Sequence, residues 1–227
     1  MKPLKGILFD FNGTLFFDSF YQITAFQQLA PLYGKSFTAE EIVGRMFGRS
    51  TDRIFCGNYK EDATPDDIKL FFERRDSLYF DICLSHPEAL RLTPGAEELL
   101  EYLKESGIPY AMATGAQRNE LEFFFEHLPL GRYFTWDNIL YTDGTFRGKP
   151  APDGYLLAAK KLGLDASECL IFEDGTAGLA AARAANAGGL MCIYEKGLPS
   201  PETDSVRADE VHHDLKQWRE ILTKYGF

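Results

Sequence analysis

Short apolar runs cut off by polar residues constrain this chain more than any other feature. Ile7-Leu8-Phe9 stops at Asp10-Phe11-Asn12-Gly13-Thr14, Tyr110-Ala111-Met112-Ala113 at Thr114-Gly115, and Cys169-Leu170-Ile171-Phe172 at Glu173-Asp174-Gly175-Thr176. Asn138–Tyr141, Leu190–Tyr194 and Glu210–His212 read as further strands. Runs that stay apolar at successive positions suit strands buried on both faces, whereas a strand with one wet face alternates. Between them lie patterns of helical period: Ala96 through Leu103 to Gly107, a Phe-rich stretch from Asn119, Gly154 to Leu162, Gly178 to Ala187, and Leu215 to Tyr225. Strands alternating with helices pair in parallel, because a crossover helix returns the chain to the same edge of the sheet. The expected fold class is α/β, a Rossmann-like doubly wound parallel sheet.

The stretch from Asp18 to about Pro87 has a different character. Asp18-Ser19 is suited to cap a helix in which Phe20, Ile23, Phe26, Leu29 and Leu32 recur at helical spacing. Thr38-Ala39-Glu40-Glu41 reads as a capping box for a second helix, Ser50-Thr51-Asp52 as the start of a third, and Thr64-Pro65-Asp66-Asp67 as the start of a longer fourth. No strand pattern interrupts them. A helical domain over residues 18–88, inserted into a core formed by residues 1–17 and 89–227, is the expected organisation.

In an open parallel sheet, ligands bind outside the carboxyl ends of the strands. Those ends bring together Asp10 and Asn12, Thr114, and Glu173-Asp174, with Lys149 in Gly148-Lys149-Pro150 just before a helix. A nucleophilic carboxylate, an acidic pair able to hold Mg²⁺, and a Lys and a Thr for phosphoryl oxygens together make a phosphoryl-transfer site. Each element alone has a plain alternative. Asp-x-Asn-Gly is good turn chemistry, and a Lys or an acidic pair in a loop is ordinarily solvated. It is their order along the chain that favours one site.

These motifs resemble the haloacid dehalogenase (HAD) superfamily, in the subgroup of β-phosphoglucomutase and phosphoglycolate phosphatase. Asp10-Phe11-Asn12-Gly13-Thr14 stands where that family carries D-x-D-G-T, followed by Thr114, Gly148-Lys149-Pro150 and Glu173-Asp174. The resemblance implies a Mg²⁺-dependent phosphatase with a helical cap, acting on a small phosphorylated metabolite through an aspartyl-phosphate on Asp10. It implies that Asp10, the backbone carbonyl of Asn12, Asp174 and, directly or through water, Glu173 hold the metal. Thr114, Gly115 and Lys149 would bind the phosphoryl group, and Arg75 and Arg49 in the cap would contact substrate.

Two departures qualify that reading. The family's second Asp, its acid–base group, is here Asn12, which cannot carry a proton; losing such a group costs about 10²–10⁴-fold. Where relatives place a His on the first cap helix, this chain has Gln22-Ile23. An attenuated phosphate-binding or sensor protein on the same fold is therefore the alternative. A phosphoglucomutase, which needs the acid–base group at both transfers, and a haloacid dehalogenase, which needs no Glu173-Asp174 pair, fit less well.

Composition bounds the partners. A formal net charge of −10 and a pI near 4.9 argue against nucleic acid or an anionic membrane. No stretch approaches the roughly 18 apolar residues of a membrane span. The apolar run before Asp10 is too short for a signal peptide, and Cys56, Cys83, Cys169 and Cys192 are scattered. A cytoplasmic monomer with reduced thiols is the expectation.

Overall fold

A computed structural model of the chain describes residues 4–49 and 51–227. In chain order, β1 (Gly6–Phe9) is followed by four helices: α1 (Ser19–Leu29), α2 (Ala39–Met46), α3 (Thr51–Asn58) and α4 (Pro65–Ser85). Then come α5 (Ala96–Ser106), β2 (Tyr110–Ala113), α6 (Arg118–His127), β3 (Ile139–Leu140), α7 (Asp153–Lys161), β4 (Cys169–Glu173) and α8 (Thr176–Ala184). The chain ends with β5 (Gly189–Ile193), β6 (Glu210–His212) and α9 (Trp218–Tyr225). Ser50, which the sequence places at the start of α3, lies outside the described residues. The chain divides into two compact units, one of residues 1–17 and 91–227 and one of residues 18–90.

In the first unit the six strands form one parallel sheet in the order β3-β2-β1-β4-β5-β6. Leu8 of β1 pairs in register with Ala111 on one side and Ile171 on the other. Ile7, Leu8 and Phe9 are wholly buried, as are Leu170, Ile171 and Phe172 of β4, so both sheet faces are covered. This burial accounts for the unbroken apolar runs, each such side chain contributing about 1.5–3 kcal/mol. The Phe9 and Phe172 rings stack with centroids 5.1 Å apart, reinforcing the central pair. The chain builds outward from β1 through β2 to β3, then crosses back to lay β4 against the other side of β1. The order thus reverses beside β1, where a parallel sheet opens a crevice at its carboxyl edge.

Several boundaries differ from the sequence reading. The strand expected over residues 138–141 contracts to Ile139–Leu140, because Trp136–Asn138 form a 3-10 turn in which Asn138 Oδ1 accepts from the Thr135 amide at 2.8 Å. The last helix begins at Trp218 rather than Leu215, whose amide instead bonds to the Pro94 carbonyl.

The helical unit closes its own core. Phe26, Leu29, Ile42, Met46, Phe55, Tyr59 and Phe71 form one buried cluster in which the Phe55 and Phe71 rings lie 4.5 Å apart. Thr38 with Glu41 and Thr64 with Asp67 make complete capping boxes, each satisfying two backbone donors that a helix start leaves open. Asp18 stands at the N-cap of α1 but makes no cap bond. Its Oδ2 accepts instead from Tyr79 Oη at 2.8 Å and Gln22 Nε2 at 3.1 Å, so it ties α1 to α4. Among the described residues no helix is long and apolar enough to cross a membrane.

Candidate active site

The site grows from the carboxyl ends of β1, β2 and β4. The Asp10 amide donates to the Phe172 carbonyl at 2.9 Å, continuing the β1–β4 ladder one residue beyond the strand and fixing the backbone of Asp10. On the other side the Thr114 amide donates to the Leu140 carbonyl at 2.9 Å. After Asp10 the chain turns sharply through Gly13, whose φ of +78° suits glycine. A Cβ at Gly13 would also collide with the Asp174 carboxylate, so the turn and the acidic residue are fitted together. Thr14 Oγ1 donates to Asp174 Oδ1 at 3.4 Å.

Lys149 is the hub. Its Nζ forms an ion pair with Asp10 Oδ1 at 2.8 Å and a second with Glu173 Oε1. Among the described residues, the buried Asp10 Oδ1 has no hydrogen-bond partner beyond that ion pair. Glu173, only 1% exposed, is saturated: Oε1 also accepts from Tyr155 Oη at 2.6 Å, and Oε2 accepts from the Asp174 and Gly175 amides at 2.9 and 3.0 Å. These donors compensate a carboxylate that burial would otherwise penalise severely. A Cβ at Gly178 in the first turn of α8 would occupy the space of the Glu173 carboxylate. The close approach requires glycine.

Electrostatics at this centre are set by burial and by the grouping of charges. Burial pushes the Asp10 carboxyl up to about 6; Lys149 pulls it back down and Glu173 pushes it further up. Burial draws Lys149 down, but Asp10 and Glu173 together outweigh it and hold the ammonium above its ordinary value. Tyr155 is raised well above the usual phenol range by burial and by the Glu173 charge, so it stays a donor.

Carboxylate oxygens of Asp10, Glu173 and Asp174 lie within 4.8 Å of one another. Three carboxylates against one ammonium leave two negative charges, and an all-oxygen donor set suits a hard divalent cation such as Mg²⁺. The residues present therefore fit a divalent metal. Thr114, Gly115 and Lys149 line one recess with Gly148 and Tyr155. Thr114 is buried and its Oγ1 accepts from the Ala116 amide at 3.0 Å, which orients the hydroxyl.

Asn12, two residues beyond Asp10, donates from Nδ2 to Glu120 Oε1 at 3.0 Å. Neither Glu120 nor Tyr155 stands out in the sequence. Glu120 falls among the charged residues that open α6, and Tyr155 sits in an apolar helix face that reads as core. Only the Tyr155 hydroxyl, facing a buried carboxylate, distinguishes it from packing.

Arg75 and Arg49 belong to the helical unit. Arg75 is engaged within that unit: Nη1 donates to Gln22 Oε1 at 2.9 Å, Nη2 pairs with Asp76 at 2.7 Å, and the guanidinium lies 5.4 Å from the Phe72 ring centroid. Arg49 is exposed and follows Gly48, whose φ is +66°.

Comparison with known proteins adds a family. A model of haloacid dehalogenase-like hydrolases matches residues 4–186. Hexitol phosphatase A of Escherichia coli is 30% identical over 216 residues, covering 94% of this chain and 92% of its own length. The bifunctional riboflavin kinase/FMN phosphatase of Arabidopsis thaliana is 27% identical over the whole chain, which spans only 57% of that protein. Among solved structures, a family IA, variant 3 HAD hydrolase of Entamoeba histolytica superposes with a TM-score of 0.86 at 29% identity, covering 99% of this chain and all of that one.

Proposed function

Because the chain belongs to the haloacid dehalogenase-like hydrolases and is a phosphoric monoester hydrolase, we propose that it cleaves a small phosphorylated metabolite through an aspartyl-phosphate on Asp10. One observation carries the proposal. Lys149 bridges a buried Asp10 and a buried, fully hydrogen-bonded Glu173 across the crevice of the sheet. Such an ammonium holds a nucleophilic carboxylate ionised and in place, and offers further protons to phosphoryl oxygens. The relative named hexitol phosphatase A, and a phosphorylated carbohydrates phosphatase of Thermotoga maritima that is 28% identical over 195 residues and covers 84% of both chains, favour a sugar or polyol phosphate as substrate.

Asp10, Asp174 and the backbone carbonyl of Asn12 would hold Mg²⁺, with Glu173, whose oxygens already accept hydrogen bonds, reaching it through water. When bound, the metal supplies charge neutralisation for the phosphoryl oxygens. Asp10 attacks phosphorus as the ester bond breaks and the alkoxide leaves. Water then attacks the same phosphorus, the bond to Asp10 breaks, and the carboxylate is regenerated. Thr114 and Lys149 hold the phosphoryl oxygens through both steps. Arg75 and Arg49 remain the cap residues proposed to contact substrate.

Asn12 slows the first step, because no proton carrier stands at the family's acid–base position; this favours substrates with good leaving groups. It also motivates a second reading, an attenuated protein that binds phosphate compounds with little turnover. A panel of sugar, polyol and aryl phosphates with Mg²⁺ separates the two. Turnover that Asp10→Asn abolishes, with acid-stable trapping of the acyl phosphate by borohydride at Asp10, supports the enzyme. Mg²⁺-dependent binding without phosphate release supports the sensor.

A further inference from the structure

We propose that Glu120 is a positioning residue for the phosphatase reaction: through its bond to Asn12 it fixes the amide that aligns the water attacking the phosphorylated Asp10. The proposal rests on the aspartyl-phosphate reading above and deepens it.

Three observations lead there. Glu120 is a carboxylate only 8% exposed, where an acidic side chain is rarely placed without a task. It stands in the first turn of α6, the helix that follows Thr114, where the positive end of the helix dipole favours a negative charge. Its Oε1 receives the Asn12 Nδ2–H at 3.0 Å. A carboxylate only accepts, so it settles which end of the Asn12 amide faces it: nitrogen toward Glu120, Oδ1 away. An amide without such a partner presents either end with equal ease.

The fixed amide has a use that needs no proton transfer. In the second half-reaction the water oxygen bonds to phosphorus while the bond from phosphorus to the Asp10 oxygen breaks. The electron pair returns to the Asp10 carboxylate, and both water protons leave with the phosphate as H₂PO₄⁻. Asn12 Oδ1 accepts a hydrogen bond from that water and sets its line of approach without taking its proton. This resembles the way a glutamine side chain orients water in phosphoryl-transferring GTPases. Alignment of the nucleophile is a large contribution, since misplacing a reacting atom by about 1 Å costs on the order of 10²-fold.

The test uses the full-length protein, Mg²⁺ and p-nitrophenyl phosphate, whose leaving group needs no acid, with phosphoenzyme measured after acid quench. Glu120→Ala is expected to lower kcat and KM together about 10–100-fold, leave kcat/KM within about 2-fold, and make phosphoenzyme accumulate, because only the second half-reaction slows. Glu120→Gln, whose Oε1 still accepts from Asn12, is expected to recover kcat to within about 5-fold. Asn12→Ala is expected to reproduce the loss, and adding Glu120→Ala to it is expected to cost little more, since both remove one device. Glu120→Met, of similar volume, replaces Glu120→Ala if the alanine variant is unfolded by circular dichroism. Wild-type kcat in Glu120→Ala or Glu120→Met, fully additive losses, or a Gln variant as impaired as the Ala variant each overturn the positioning role while a dead Asp10→Asn leaves the phosphatase reading standing. Turnover retained in Asp10→Asn, or none in the wild type, overturns that reading and this inference together.

Discussion

Asp10 is held in a state that costs stability once it ionises. Burial, with the Glu173 charge adding to it, holds its carboxyl up at about 6 from the ordinary 3.8, despite the opposing pull of Lys149. The sign follows from linkage. Below about pH 4 the group is protonated in both states and costs nothing. As pH rises toward 6 the unfolded chain releases its proton first, and stability is lost until the folded group also ionises. Asp10→Asn removes that penalty. The metal-free variant is therefore expected to unfold at a higher temperature than the wild type at pH 7.5, with the two converging near pH 4; equal Tm values at pH 7.5 contradict this. The nearby Asn12 has its own test. Asn12→Asp places a second carboxylate about 3 Å from Glu120, where two like charges oppose each other's ionisation. The double variant Asn12→Asp, Glu120→Gln is thus expected to release phosphate faster than Asn12→Asp alone.

Among the elements, those that met their neighbours by simple pattern were legible in the sequence and those that depend on a distant contact were not. The wholly buried β1 and β4 had unbroken apolar runs, the capping box was visible as Thr38-x-x-Glu41, and Thr64-Pro65-Asp66-Asp67 was visible as a helix start, which the structure shows to be a second capping box. The six polar groups gathered at the strand ends were likewise visible as residue types. Their connections were not: nothing local tells that Tyr155 donates to Glu173, that Gly178 clears space for it, or that Asp18 bonds to Tyr79 instead of capping α1. Two predictions belong at this scale. Gly178→Ala is expected to push Glu173 aside and release Lys149, lowering kcat at least about 10-fold while circular dichroism stays unchanged. Thr64→Ala removes one cap of α4 and is expected to cost about 0.5–2 kcal/mol of stability with activity retained. The same box carries an acid limit. Asp67, lowered to about 2 by Lys60 and by the Thr64 amide, stabilises the helix start above pH 4 and loses that contribution as pH falls through 2.

For the whole molecule, the acidic cluster lies entirely in the unit formed by residues 1–17 and 91–227. Mg²⁺ is accordingly expected to slow amide exchange in β1 and β4, with no change in the helical unit's buried core around Phe55 and Phe71. Equal protection of both cores would place the cation elsewhere. The arrangement of the sheet also constrains the order in which its strands can pair. Leu8 has no strand partner until residue 111 has been synthesised, and its second partner arrives only with residue 171. The residues that follow it immediately, 18–90, meet one another over short loops and need nothing downstream. During synthesis the helical unit is therefore expected to fold before the strand bearing Asp10 is paired on both sides, an order that limited proteolysis of stalled nascent chains checks. The Asp10 carboxylate thus reaches its place only once segments about 100 and 160 residues downstream have docked beside its strand.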